Sequence, residues 1–276
     1  MSAQSTQRRL TTTDIASRKG GEPIVSLTAY DAPTAALLDP YCDFLLVGDS
    51  VGMVVHGLPS TVGVTVDMMI MHGQAVMRGA KQALVVIDMP FGSYEASPQQ
   101  AFENASRILR ETGAGAVKIE AGTYAAETIR FLTERGVGVM AHVGLRPQAI
   151  GVTGGFRAVG RSPEEVERVL AEAEAAADAG AFAVVVEGVD EQLGDQITSA
   201  VSIPTIGIGA SASCDGQILV TPDMLGMFDW SPKFVRRYAD MKTVMSRAAE
   251  QYAKDVRDRS FPAAAELYHL KAKRLS

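Results

Sequence analysis

Ionisable side chains recur in this 276-residue chain at the ends of short apolar runs. Asp49 and Ser50 close the run 44–50, and Asp88 falls near the end of 83–90. Lys118 and Glu120 lie in 116–122, His142 in 138–144, and Glu187 near the end of 181–188. A carboxylate at the end of an apolar strand must be paired or otherwise satisfied, because burying an unpaired charge is costly. If the runs are neighbouring parallel strands, Asp49, Asp88 and Glu120 converge on one patch. Three carboxylates repel one another, and a divalent cation relieves them. An all-oxygen donor set favours a hard ion such as Mg²⁺. Lys118 stands two residues before Glu120, hence on the same side of a strand. It can neutralise an acid or hold an anionic substrate.

Taken singly, each residue has a plainer explanation. An aspartate after a strand commonly caps a helix or forms a turn, as Asp49 and Asp88 would. His142 reads as a structural histidine, Glu187 as an ion-pair partner and Lys118 as a snorkelling side chain. Their coincidence at successive strand ends favours a shared site.

The elements that must position them follow from the apolar pattern. Eight runs rich in Val, Ile and Leu appear at 24–30, 44–50, 83–90, 116–122, 138–144, 181–188, 204–209 and 216–225. Near-continuous apolar strands mark a parallel sheet covered on both faces. Helical stretches separate most of them. Asp31 caps 32–38, Thr65 caps 66–78, and Ser97-Pro98 opens a helix that ends at Gly113. Thr123 opens one to about 134, and Ser162-Pro163-Glu164-Glu165 reads as a capping box for a helix to 179. A helix spans 190–200, and a further one is expected in the short link after the seventh strand. Roughly 25 residues per strand–helix unit, eight times over, predicts a (β/α)8 TIM barrel; a doubly wound open sheet would use fewer strands. The expected domain is single, with the barrel core at 24–225. An N-terminal arm with a short helix from about Thr12 covers the barrel bottom. A helical extension at about 231–273 follows, with helices at 232–256 and about 263–273.

Composition narrows the function classes. The chain carries 26 basic and 32 acidic residues, a net charge of −6, with 47% hydrophobic and 21% charged residues. That balance is ordinary for a globular protein and speaks against nucleic acid or an anionic membrane as partner. Cys42 and Cys214 suit reduced thiols rather than a disulfide framework. No apolar leader or spanning run is evident, so a cytoplasmic protein is expected. Gly207–Ala212 formally matches a dinucleotide fingerprint, but the next strand begins too soon for the helix that fingerprint needs. It reads instead as a tight barrel loop, with a phosphorylated ligand still open there. The glycine-rich, basic stretch 146–161 is a surface loop or a lid with glycine hinges. Met68, Met69, Met71 and Met77 read as core filler. His56, His72 and His269 receive no role.

Seven motifs in order carry a resemblance. They are Thr28-Ala29-Tyr30-Asp31, Leu46-Val47-Gly48-Asp49-Ser50-Val51-Gly52-Met53, Ala101-Phe102-Glu103-Asn104-Ala105 and Val117-Lys118-Ile119-Glu120, then Ala141-His142-Val143-Gly144-Leu145, Gly207-Ile208-Gly209-Ala210 and Asp215-Gly216-Gln217. Together they resemble the 3-methyl-2-oxobutanoate (ketopantoate) hydroxymethyltransferase family. The resemblance implies a barrel of the phosphoenolpyruvate/pyruvate type. It implies one-carbon transfer from 5,10-methylenetetrahydrofolate to 3-methyl-2-oxobutanoate, giving 2-dehydropantoate for pantothenate synthesis. It further implies Mg²⁺ and a homo-oligomer, commonly a decamer. By motif, Asp49, Asp88 and Glu120 are the metal positions. Ser50 and Lys118 contact the oxo acid, with Asp49 and Asp88 beside it. Glu187 is the catalytic proton acceptor, and His142 hydrogen-bonds or polarises the substrate. One departure stands out. Many members read Gly-Ala-Gly where this chain has Gly209-Ala210-Ser211, which bears on the folate side of the mouth. The competing classes are a Mg²⁺-dependent 2-oxo acid lyase or mutase of the isocitrate-lyase type, and a non-catalytic barrel.

Overall fold

The computed structural model describes residues 8–268. Eight parallel strands close into a barrel in chain order. They are β1 Ile24–Thr28, β2 Phe44–Val47, β3 Leu84–Asp88, β4 Ala116–Glu120, β5 Val139–Gly144, β6 Ala183–Glu187, β7 Thr205–Ile208 and β8 Gly216–Leu219. The helices are α1 Thr12–Ala16, α2 Ala32–Leu38, α3 Val51–Val54, α4 Val66–Gly79, α5 Pro98–Thr112, α6 Ala125–Thr133, α7 Ile150–Thr153, α8 Pro163–Asp178, α9 Glu191–Ala200, α10 Thr221–Met224 and α11 Met241–Arg257.

Local sequence explains most of the boundaries. Asp31, Thr65 and Ser97 each accept the backbone N–H at the third helical position of α2, α4 and α5, which satisfies a donor the helix cannot. The 162–165 box is half formed. Ser162 Oγ accepts the Glu165 amide, but the Glu165 carboxylate reaches back to the amides of Gly160 and Arg161.

Three expectations need correction. α6 begins at Ala125 behind Tyr124, not at Thr123; the Ala125 amide closes a turn onto the Gly122 carbonyl, and no side chain caps it. β8 stops at Leu219. Thr221 bonds both the hydroxyl and the carbonyl of Thr28, which turns the chain into α10. Residues 209–215 are too few for a crossover helix, and none forms between β7 and β8.

β2 to β6 are buried almost throughout, as a sheet covered on both faces requires. Their inward side chains, such as Phe44, Leu84, Val86 and Met140, form an inner core. The outward ones, such as Leu45, Val85, Ile87 and Val117, pack with the helices. The arm seals the lower end. Thr11 and Asp14 form a reciprocal capping box on α1, and Ile15 is fully buried within the inner core. Burying one such side chain stabilises by roughly 1.5–3 kcal/mol.

The chain divides into two compact units. The first runs to Thr221 and takes in Lys233–Val235; the second comprises Pro222–Pro232 and the residues from Arg236 on. In the second unit the expected helix 232–256 starts only at Met241, where Asp240 caps it. Before that, the amides of Tyr238, Met241 and Lys242 are taken by the carbonyls of Met224, Leu225 and Gly226, so the segment runs alongside rather than coiling. Of the expected helix near 263–273, the described residues show a single 3₁₀ turn, Ala264–Glu266. Its remainder, from residue 269, lies outside them.

Candidate active site

The strand register brings the sequence-selected residues together. Asp88 on β3 pairs with Lys118 on β4, Glu120 on β4 with His142 on β5, and Gly144 on β5 with Glu187 on β6. Asp49 follows β2 directly. Its backbone N–H donates to Asp88 Oδ2 at 3.0 Å. Gly48 leaves the Ser50 hydroxyl its place, since a Cβ would stand 2.7 Å from Ser50 Oγ and turn it aside. Ser50 sits at the mouth of α3, and its hydroxyl shares a 2.8 Å hydrogen bond with Tyr30. Asp49, Asp88, Lys118, Glu120 and His142 are all buried, whereas the Glu187 side chain keeps 18% of its surface exposed. Glu187 is therefore the acid of this group that a substrate in the mouth reaches most readily.

Lys118 Nζ lies 3.0 Å from Asp88 Oδ1 and 3.2 Å from His142 Nδ1. Burial alone would lower its pKa, but Asp88, Asp49 and Glu120 outweigh burial and raise it, so it stays an ammonium. An ammonium only donates, which leaves Nδ1 of His142 as acceptor and puts the ring proton on Nε2. Burial and then Lys118 hold His142 below its ordinary pKa, so the ring is neutral. Its Nε2 stands 3.3 Å from Glu187 Oε2, off the line of a full hydrogen bond, so the contact is electrostatic.

The acids feel their burial. Desolvation, then the Asp88 charge, push Asp49 up to about 7. Desolvation and Asp49 raise Glu120 well above the usual carboxylate range. Asp88 Oδ1 is buried and accepts no hydrogen bond, although the Lys118 ammonium is near. The four carboxylates Asp49, Asp88, Glu120 and Glu187 thus meet one ammonium, an excess of negative charge that suits a cation. As the side chains stand, no three His, Cys, Asp or Glu groups among the described residues form a ready metal cluster.

Two residues of the network escaped the sequence reading. Gln148 is buried at the root of the loop behind β5, and Tyr94 is buried on the loop behind β3. Gln148 Nε2 donates to Asp49 Oδ2 at 2.8 Å and to the Met89 carbonyl at 3.0 Å. Its backbone N–H donates to Glu120 at 3.0 Å, and its Oε1 accepts the Tyr94 hydroxyl at 2.6 Å. The loop reaches the mouth because Gly144 adopts φ 92°, a left-handed turn that favours glycine. The one local signal was a glutamine close behind the fifth strand, after Pro147. The rest of 146–161 is mostly exposed, with Val152 at 94%.

Ser211, the departure from the family pattern, points toward α9. Its hydroxyl bonds Asp195 at 2.5 Å and accepts the Ser213 amide at 3.0 Å. Gly194 of α9 leaves the room, because a Cβ there would lie 2.9 Å from Ser211 Cβ.

A model of the ketopantoate hydroxymethyltransferase family matches residues 9–264. The 3-methyl-2-oxobutanoate hydroxymethyltransferase of Hyphomonas neptunium is 68% identical over 271 residues, covering 98% of each chain. That of Caulobacter vibrioides is 66% identical over 268 residues, covering 97% of this chain and 98% of its own. Among solved structures, 2,3-dimethylmalate lyase, a PEP mutase/isocitrate lyase superfamily member, aligns with a TM-score of 0.58 at 18% identity, covering 94% of this chain and 92% of its own. Phosphonopyruvate hydrolase in complex with oxalate and Mg²⁺ aligns with a TM-score of 0.58 at 12% identity, covering 95% and 93%. At such identities the solved structures bear on the fold alone, and that fold is the expected barrel.

Proposed function

This chain belongs to the ketopantoate hydroxymethyltransferase family, and from that premise we propose how its barrel mouth performs the family's reaction. The chain is a 3-methyl-2-oxobutanoate hydroxymethyltransferase acting in pantothenate biosynthesis. The one-carbon donor is 5,10-methylenetetrahydrofolate, and 2-dehydropantoate is the product. The observation that carries the mechanism is the continuous network from Asp49 through Asp88, Lys118 and His142 to Glu187.

The residues fit Mg²⁺. The Asp49 carboxylate oxygen that no residue hydrogen-bonds, the raised Asp49 and the surplus of acids over Lys118 all favour a hard divalent ion. Asp49 and Asp88 would hold it, with Glu120 the third carboxylate of the patch. When bound, it supplies Lewis-acid stabilisation of the negative charge that develops as the oxo acid enolises. Lys118 adds fixed positive charge beside the oxo acid, and the Ser50 hydroxyl offers it a hydrogen bond. Glu187, reachable from the mouth, accepts the C3 proton. His142 remains neutral and keeps its Nε2–H toward Glu187. The carbon nucleophile then takes up the one-carbon unit, and the 146–161 loop limits water entry.

The enzyme works as a homo-oligomer, a decamer as in the resembled family. The face of α11 supports this, since that helix buries no residue and exposes Val244, Met245, Tyr252 and Val256. A cytoplasmic location accords with the finding that no helix among the described residues is long and apolar enough to cross a membrane.

The test is a transfer assay with 3-methyl-2-oxobutanoate and the folate donor. Product should require both co-substrates, and Asp88→Ala should weaken the Mg²⁺ dependence at least tenfold. An unchanged Mg²⁺ titration removes Asp88 from the cation site. Consumption of the oxo acid without folate identifies a lyase instead.

A further inference from the structure

Gln148 joins four segments of the mouth, and both of its donors are committed there. Both amide hydrogens are taken, one by Asp49 Oδ2 and one by the Met89 carbonyl. A carbonyl only accepts, so the Nε2 side of the amide must face Met89, and the Tyr94 hydroxyl then donates to Oε1. Tyr94 in turn accepts the Glu120 amide at 3.2 Å, which fixes the hydroxyl's own direction. The Gln148 backbone N–H holds the Glu120 carboxylate. Gln148 is buried, with both of its amide hydrogens on the protein, so it acts through its neighbours. What it leaves open is specific. Among the described residues nothing hydrogen-bonds Asp49 Oδ1, whereas the Asp88 carboxylate is held at Oδ1 by the Lys118 ammonium, 3.0 Å away, and at Oδ2 by the Asp49 amide.

We propose that Gln148 is a positioning residue for the cation: it pins one oxygen of Asp49 and the carboxylate of Glu120, and so presents the free oxygen of Asp49 beside the Asp88 carboxylate. This rests on the reading of Asp49 and Asp88 as the cation's holders. It also gives the loop behind β5 a part in the cation site. Residues that orient a metal ligand typically change metal affinity by about 10–100-fold when replaced.

The test is Mn²⁺ binding to the full-length protein, followed by the electron paramagnetic resonance of free Mn²⁺, with no turnover required. It compares the parent with Gln148→Met, Tyr94→Phe and Asp88→Asn, alongside thermal melts of each cation-free protein. Gln148→Met keeps the side chain's length and removes its hydrogen bonds. The proposal expects Mn²⁺ affinity to fall about tenfold or more, with the melt within a few degrees of the parent. Tyr94→Phe frees the amide to turn over and should show a smaller loss in the same direction. If Gln148→Met does not fold, Tyr94→Phe decides. Parent-like affinity in the folded variants, with Asp88→Asn impaired, overturns the Gln148 proposal and leaves the cation site standing. Parent-like affinity in Asp88→Asn overturns the cation site, and the Gln148 proposal with it.

Discussion

Asp49 is a carboxylate that burial pushes toward its neutral form while its proposed task needs it charged. Its folded pKa is raised from 3.8 to about 7, through burial first and the Asp88 charge second. For an acid with a raised pKa, the contribution to stability is fully present below the unfolded value. It is lost as pH rises through the folded one. In the cation-free protein that window runs from about 4 to about 7. Asp49→Asn should therefore raise the melting temperature of the cation-free protein at pH 8 by a few degrees and have less effect at pH 5. A calorimetric scan at the two pH values checks this. A cation must displace the proton, so Mn²⁺ affinity should be about tenfold weaker at pH 6 than at pH 8, one pH unit below the folded pKa. A flat profile between those values would place the cation away from Asp49. Most of these residues were legible because each follows an apolar run, where a charge stands out. Gln148 and Tyr94 were not. Their partners come from the end of β4 and from the loops behind β2 and β3, and an uncharged side chain in a polar loop carries no local mark of such convergence.

At the scale of elements, the two ends of the barrel divide the labour. The polar network lies at the carboxyl ends of the strands, while the opposite end is built for stability. Asp39 shows this. It is buried, and its carboxylate accepts the amides of Lys81, Gln82 and Ala83 in the turn that launches β3. Asp39→Ala takes an acceptor from three consecutive amides and should cost about 2–3 kcal/mol in urea unfolding, with turnover per folded molecule unchanged. β2 to β6 could be read in advance because parallel, doubly covered strands are apolar almost throughout, and β1, β7 and β8 because shorter apolar runs mark them. The caps at Asp31, Thr65, Ser97 and Ser162 were legible because their side chains act within three residues. Where the reading went astray, long-range partners prevailed over local pattern. Thr221 is held by Thr28 across the barrel's closure, and the chain before Met241 by the carbonyls of 224–226. The Thr123 capping expectation failed because the backbone turn onto Gly122 needs no side chain.

At the scale of the molecule, the barrel unit and the unit that follows Thr221 have different surfaces. The barrel hides its apolar strands, whereas α11 of the second unit leaves an apolar stripe uncovered. Sedimentation equilibrium should accordingly give a mass of several chains, near ten by the family resemblance. Val244→Asp together with Val256→Asp should lower it, and a monomeric parent would exclude the oligomer. In the proposed mechanism this mouth enolises a 2-oxo acid before any folate arrives, with a divalent cation bound by its acids and Glu187 as the base. C3–H exchange of 3-methyl-2-oxobutanoate in deuterated water, followed by NMR without folate, reads that step alone. Exchange should require Mg²⁺ and should be lost in Glu187→Gln with oxo-acid binding retained. Exchange that persists in Glu187→Gln, or that is indifferent to Mg²⁺, would contradict that mechanism.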